Sequence, residues 1–105
     1  MRRLSVLIAL GILWGCSSAR LQGTLVELSG TVNPLRMDSQ LCWMLETGGM
    51  QEKAFYELHG PERLLQQLRR DNARVRLRAL LRPECRPSCG VGTCIEVVEI
   101  LSLQP

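Results

Sequence analysis

The chain has 105 residues, which is enough for one small domain, and 46% of them are hydrophobic. Its formal net charge of +3 includes two arginines near the start of the chain, in a segment that we expect to be removed. Without them, 11 of the 13 basic residues remain against 10 acidic ones. Such a balance gives no overall attraction to nucleic acid or to anionic lipid.

The first 15 residues have the features of a secretory signal peptide. Arg2 and Arg3 precede an apolar run over residues 4–14, and small and polar residues follow at 15–19. The apolar run is shorter than the roughly 20 residues that a helix needs to cross a bilayer. We therefore predict export, with residues 1–15 as the signal peptide.

The sequence Leu13-Trp14-Gly15-Cys16 resembles the lipobox of bacterial lipoproteins, in which the cysteine is acylated and becomes the new N-terminus. The alternative is ordinary cleavage after Ala19, which would discard Cys16 with the signal. We predict lipidation at Cys16, which anchors the protein to a membrane, and a short tether over residues 16–22. A serine after the cysteine resembles outer-membrane sorting. The expected location is therefore the bacterial cell envelope, at the outer membrane and facing the periplasm.

Residues 23–105 are predicted to form one domain. Alternation of apolar and polar residues predicts three strands, over residues 23–33, 42–47 and 53–59, with a loop over 34–40. Trp43 and Tyr56 have the parity of core residues, whereas Phe55 points outward. Gly30 falls on the buried face of the first strand, which indicates a bend or a close backbone approach.

A helix and two more strands follow. Pro61 and Glu62 predict a helix start, because proline suits the first turn and an acid suits the positive end of the dipole. The helix is expected to run for about three turns with an apolar stripe of leucines, and Asp71-Asn72 can supply a left-handed exit. Strand four follows. In strand five the inward parity changes between Val97 and Val98, which predicts a β-bulge.

Strand, strand, strand, helix, strand, strand is the order of an OB-fold. We therefore predict an all-β domain with one helix, a small five-stranded OB-like barrel. An open five-stranded sheet with one helix packed on it is the alternative architecture.

Four short motifs together resemble small bacterial envelope lipoproteins that have an OB-type barrel and no assigned activity. The motifs are Cys42-Trp43, Tyr56-Glu57-Leu58, Arg82-Pro83 and Cys89-x-x-Gly92-Thr93-x-x-Glu96-Val97. The resemblance covers most of the mature chain. It implies a disulfide between the cysteine that opens strand two and the one before strand five, with Cys85 and Cys94 as an extra pair. It implies no catalytic residues.

The four cysteines beyond Cys16 predict disulfides, because an even set in an exported domain is typical of them. Four cysteines allow three pairings. In an OB-like barrel Cys42 and Cys89 lie in loops on the same side, and Cys85 and Cys94 flank the base of one hairpin, which favours Cys42–Cys89 and Cys85–Cys94. Zinc is the alternative, but the spacing lacks the paired Cys-x2-Cys knuckles of structural zinc sites. We expect no metal and no cofactor.

Arg74, Arg76 and Arg78 share one face of strand four, with guanidinium groups about 6–7 Å apart. Two interpretations are open. The first is a solvated outer face with cross-strand partners such as Glu27. The second is a stripe that docks an anionic partner, such as phospholipid head groups, lipopolysaccharide phosphates or an acidic protein, because arginine binds two phosphate oxygens at once.

These features predict a membrane-anchored, non-enzymatic envelope lipoprotein that presents a small disulfide-stapled barrel to a protein, a glycan or a small ligand. The alternative is a structural or stress-related lipoprotein with no ligand of its own. A cleft beside the cysteine-bearing loops would favour binding, and a uniformly polar surface would favour the alternative. Nucleic-acid binding is a distant third, because it requires several exposed aromatics. His59 beside Glu57 has no nucleophile with it, so we expect a solvated histidine and no enzyme.

Overall fold

The computed structural model describes residues 23–49 and 52–105. These residues form a mostly β fold with one short helix, in the element order that the sequence predicts. The elements are β1 (Leu25–Met37), β2 (Gln40–Thr47), β3 (Ala54–His59), α1 (Glu62–Leu68), β4 (Ala73–Arg82) and β5 (Thr93–Gln104). The predicted signal peptide, Cys16 and the tether lie outside the described residues.

The five strands form one sheet in the order β1-β2-β3-β5-β4, and β4 pairs with β1, which closes the sheet. Neighbouring strands are antiparallel, except that β3 and β5 run parallel. The first part of β1 pairs with β4 and its last part pairs with β2. Each strand therefore has two neighbours, and backbone groups that an open sheet would leave unpaired at its edges are used in the ladder.

The first strand is longer than predicted, and the loop predicted over 34–40 is wrong. β1 continues to Met37, and a tight turn at Asp38, whose φ is 53°, leads directly into β2. Pro34 favoured a loop because proline has no N–H to donate to a sheet. The pairing of β1 with β4 ends at Val32, so Pro34 lies where β1 pairs only with β2 and the missing donor is tolerated.

The core is filled by the inward faces of the strands. Alternate residues of β4 are buried and the three arginines between them are exposed, as the sequence pattern predicts. Leu45, Leu77 and Ile95 are among its largest fully buried side chains. Trp43 and Tyr56 pack against this core, which confirms their predicted inward parity.

Helix α1 packs its leucines onto the same core, as predicted: Leu64, Leu65 and Leu68 are all buried. It has 7 residues and is therefore shorter than the three turns expected. It ends early because the chain turns back towards the sheet at Asn72, whose φ is 66° and whose N–H donates to the Val32 carbonyl at 2.8 Å. Among the described residues, no helix combines the length and apolar character needed to cross a membrane.

The predicted β-bulge in β5 is confirmed. The pairing with β4 passes from Val97 directly to Glu99 and skips Val98. A second irregularity, which the sequence did not indicate, skips Leu101. Each extra residue increases the local twist, which helps a five-stranded sheet to bend until it closes.

Gly30 has the close backbone approach that its position on the buried face predicts. A Cβ atom added there would collide with the carbonyl oxygen of Glu46 on β2. β1 and β2 can therefore pair at this point only because residue 30 has no side chain.

Candidate functional site

The segment between β4 and β5, residues 83–92, folds back over the outer face of β2; we refer to it as the bridge loop. The Cys42–Cys89 bond, here called the loop disulfide, fastens it to β2 with Cα atoms 6.2 Å apart. Cys42, Met44 and Cys89 form a second buried cluster around this bond, and Leu35 and Val91 pack against it. The sheet therefore has an apolar layer on part of its outer side as well as inside.

Glu57 of β3 anchors the bridge loop from below. Its side chain is 3% exposed. Oε1 accepts the Ser88 N–H at 3.0 Å and lies 2.6 Å from Nε2 of His59, and Oε2 accepts the Cys89 N–H at 3.2 Å. His59, which the sequence predicts to be solvated, has a side chain that is 43% exposed, whereas Glu57 beside it is buried because the bridge loop covers it.

The protonation of Glu57 reflects these contacts. Burial acts to raise its pKa, but the hydrogen bonds from the Ser88 and Cys89 amides and the interaction with His59 act in the opposite direction. The net result is a pKa below the ordinary value for glutamate. Glu57 is therefore an ionised carboxylate at neutral pH, held by the two backbone donors and by its contact with the His59 ring.

The Cys85–Cys94 bond, here called the hairpin disulfide, closes the base of the same loop with Cα atoms 5.9 Å apart. The prediction of disulfide bonds is confirmed, and the structure joins the two pairs that the sequence favours. A ring nitrogen of His59 and the two sulfurs of the hairpin disulfide lie within 4.8 Å of one another. A Glu57 oxygen and the two sulfurs of the loop disulfide likewise lie within 4.8 Å of one another. The acid–imidazole pair thus lies between the two disulfides.

An apolar cleft of about 270 Å³ lies beside the loop disulfide on the outer face of the sheet. Its apolar wall consists of Pro34, Leu35, Met44, Phe55 and Val91, and Asn33 and Glu46 complete the lining. Phe55 is 38% exposed, so the cleft is open to solvent on that side. We refer to this feature as the apolar cleft. Its walls come from three strands and the bridge loop, and it can hold an apolar group of a ligand.

A second cavity, of about 210 Å³, has mixed polarity and lies where α1 meets β2 and β3. Glu57, His59 and Arg69 provide its charged or ionisable groups near Trp43. Arg69 is paired with Glu62 at 2.6 Å, and His59 is paired with Glu57. Because its charged groups already have partners inside the protein, this cavity is a weaker candidate than the apolar cleft.

The predicted arginine stripe lies on a charged, solvent-exposed surface, unlike the apolar cleft. Arg74, Arg76 and Arg78 are exposed on β4, as predicted. Arg76 lies 3.7 Å from Glu27 on β1, and Arg78 lies 3.4 Å from Glu99 on β5. Arg74 has no such partner among the described residues. Two of the three arginines thus have neighbouring carboxylates, which supports the solvated outer face rather than an anionic docking stripe.

Sequence reasoning missed the burial of Glu57 and the apolar cleft. A period of two assigns residues to the faces of a strand, but it cannot show that a distant loop covers one of those faces. The available signal was Cys89, since a bond from the bridge loop to strand two must carry that loop close to strand three. Leu35 was missed because its segment was assigned to a loop.

Comparison with protein-family models, with curated proteins and with solved structures found no match to this chain. The candidate site therefore has to be interpreted from its own geometry.

Proposed function

We propose that this protein is a non-enzymatic, membrane-anchored envelope lipoprotein whose small OB-like barrel binds an apolar segment of a protein partner in the apolar cleft. The single observation that carries the proposal is the cleft itself. It is open, it is lined mainly by apolar side chains, and it lies beside a cysteine-bearing loop. A structural lipoprotein without a ligand gives no reason for such a surface, because exposed apolar area favours unwanted association.

The shape and charge of the cleft favour a protein segment. Alternate residues of β1 face outward, so Asn33, Leu35 and Met37 lie on the same side of the sheet. Met37 is 44% exposed, and the apolar surface therefore extends beyond the cleft itself. The carboxylate of Glu46 is 3.0 Å from Lys53, which leaves little net charge at the margin. An extended chain with an apolar side chain in the cleft would match this strip, since binding sites are mainly apolar with few polar groups.

Other ligand classes receive less support. Glycans and single-stranded nucleic acids both stack on exposed aromatic rings, and in the described part of the chain Phe55 is the aromatic residue on the outer face. The pair of His59 and Glu57 also gives little support to catalysis, because the carboxylate is already used to hold the bridge loop.

Site-specific photocrosslinking of the full-length protein in its native membranes tests the proposal. A photoreactive phenylalanine at position 55 should give a protein adduct, whereas the same group at Val98, which is 47% exposed on β5, should not. Adding Leu35→Asp should remove the adduct, because a charge would enter the cleft. Equal labelling at both positions, or labelling unaffected by Leu35→Asp, would refute binding in the cleft. An adduct of small-molecule mass would indicate that the cleft binds a small ligand and not a protein. The absence of any adduct would favour a structural lipoprotein with no ligand of its own.

The anchoring part of the proposal has its own test. The mature protein should begin at a diacylglyceryl-modified Cys16, and Cys16→Ser should release it from membranes or stall its processing without unfolding residues 23–105. Intact-mass spectrometry of the purified mature chain measures this directly. An unmodified N-terminus at Arg20 would instead establish cleavage after Ala19.

A further inference from the structure

We propose that reduction of the hairpin disulfide creates a zinc site, with the thiolates of Cys85 and Cys94 and the imidazole of His59 as its three protein ligands. This site is separate from the apolar cleft and does not depend on the proposed partner. It would be present in the reduced protein and absent from the oxidised one, because disulfide sulfurs are not thiolate ligands.

The positions of the donor atoms carry the first part of the inference. The two sulfurs and a ring nitrogen of His59 all lie within 4.8 Å of one another. Atoms that bind one zinc ion at about 2.0–2.3 Å lie within about 4 Å of each other in a tetrahedral site. Once reduction lets the two sulfurs move apart, the three donor atoms lie close to the spacing that one ion requires. Two thiolates and one imidazole are ligands that favour zinc over magnesium or calcium.

The surroundings of His59 carry the second part. A histidine ligand usually donates its other ring N–H to a carboxylate, which fixes the orientation of the ring and strengthens the ligand. Nε2 of His59 is already 2.6 Å from Glu57, so a metal bound at Nδ1 would leave this contact in place. Glu57 is itself held by the Ser88 and Cys89 amides. The histidine is therefore positioned before any metal arrives.

Exposure explains why the hairpin disulfide and not the loop disulfide is the reducible one. Cys85 is partly exposed, whereas Cys42 and Cys89 are 5% and 6% exposed. A thiolate can therefore reach the Cys85 sulfur more easily. The side chain of His59 is 43% exposed, which gives an ion a path to the site and leaves one coordination position for water. Cys42, Cys89 and Glu57 are all buried, so neither a reductant nor an ion has such access to that group.

The redox step is ordinary exchange with a dithiol. A thiolate of the dithiol attacks the Cys85 sulfur, the bond to Cys94 breaks, and the Cys94 sulfur leaves as a thiolate. The second thiol of the dithiol then attacks the mixed disulfide and releases Cys85. The dithiol is oxidised and the cysteine pair is reduced by two electrons, and zinc binding displaces any protons on the two sulfurs.

Cobalt titration of the full-length protein tests the site, with Co²⁺ as a coloured substitute for Zn²⁺. After treatment with a phosphine reductant, one equivalent of Co²⁺ should give thiolate-to-metal charge-transfer absorption, and Zn²⁺ should remove it. The oxidised protein should give none. Glu57→Gln should weaken binding by about 10–100-fold if the carboxylate positions the imidazole.

Two double variants separate the ligand sets. Cys85→Ser with Cys94→Ser keeps the loop disulfide and should lose the absorption. Cys42→Ala with Cys89→Ala keeps the hairpin cysteines and should retain it. Absorption that survives the first variant, or is lost only in the second, would overturn the proposal. So would the absence of a cobalt–thiolate band in the reduced wild type, whether circular dichroism shows that chain folded or unfolded.

Discussion

Replacing Glu57 by glutamine should destabilise the protein far more than its conservative chemistry implies. Glutamine has the same shape, but it replaces one acceptor oxygen with an NH₂ group. It can therefore accept only one of the two N–H groups, from Ser88 and Cys89, that the two carboxylate oxygens now accept. A donor left unpaired on burial costs about 1–3 kcal/mol, and the remaining hydrogen bond loses its charged acceptor. We expect a loss of about 2 kcal/mol in the free energy of unfolding.

Thermal unfolding under non-reducing conditions at neutral pH measures this loss. For a domain of this size about 2 kcal/mol corresponds to a decrease in Tm of about 8–16 °C. Hydrogen exchange of the Ser88 and Cys89 amides should accelerate, because the bridge loop loses its anchor. The matched control is Glu27→Gln, whose side chain is 48% exposed, and it should change stability by no more than about 0.5 kcal/mol. Equal melting temperatures for the Glu57 and Glu27 variants, with unchanged protection of the two amides, would refute the anchoring role.

The same carboxylate gives a pH dependence of known sign. Because the pKa of Glu57 is lowered in the folded state, its contribution is fully present above the ordinary glutamate pKa of about 4.3. It is lost as the pH falls through the lower folded value. Urea unfolding between neutral and acidic pH should therefore show the wild type and Glu57→Gln converging below about pH 4. A stability difference that is constant throughout that range would mean that the charge is not the source of the effect.

Three further outcomes follow from the structure. The loop disulfide spans 47 residues and the hairpin disulfide spans 9. In urea unfolding, removing the loop disulfide should therefore lower the free energy of unfolding by about 1.5 kcal/mol more than removing the hairpin disulfide. Equal losses would argue against loop entropy as the source of the stabilisation. Gly30→Ala should lower the free energy of unfolding by about 1–3 kcal/mol in the same measurement, because the added methyl group forces β1 away from β2. An unchanged free energy would mean that the two strands can move apart without penalty. Arg76→Gln with Arg78→Gln should lower the free energy of unfolding by less than about 1 kcal/mol for each exposed ion pair. Sedimentation of the unlipidated protein with anionic vesicles should stay unchanged. Loss of sedimentation in this variant would instead support the anionic docking stripe.

The parts of the fold that the sequence predicts are those with local causes. The alternation of arginine and apolar residues in β4 identifies both faces of that strand, and the double valine at Val97 and Val98 marks the bulge because parity must change there. The leucine stripe of α1 and the exit at Asn72 are equally local. Each of these features depends on a few adjacent residues, so a single sequence is enough to infer them.

The parts that could not be predicted depend on contacts between distant segments. Pro34 reads as a loop residue in isolation, and it is acceptable in a strand only because β4 stops pairing two residues earlier. Glu57 reads as an exposed acid, and it is buried because residues some thirty positions later lie on top of it. The apolar cleft was missed for both reasons. Leu35 lies in the strand segment that was assigned to a loop, and Val91 lies in the bridge loop that covers the outer face of the sheet.

The two disulfides are interlocked along the chain, and this has a consequence for how they form. Of the four cysteines in these bonds, synthesis delivers Cys42 first, then Cys85, and only afterwards the native partners Cys89 and Cys94. Oxidation in the order of appearance would join Cys42 to Cys85, a bond that the folded protein does not contain. Reaching the native pairs then requires thiol–disulfide exchange, which is slow without an isomerase. Alkylation at early times of oxidative refolding would trap the Cys42–Cys85 species, and its disappearance would follow the formation of the bridge loop.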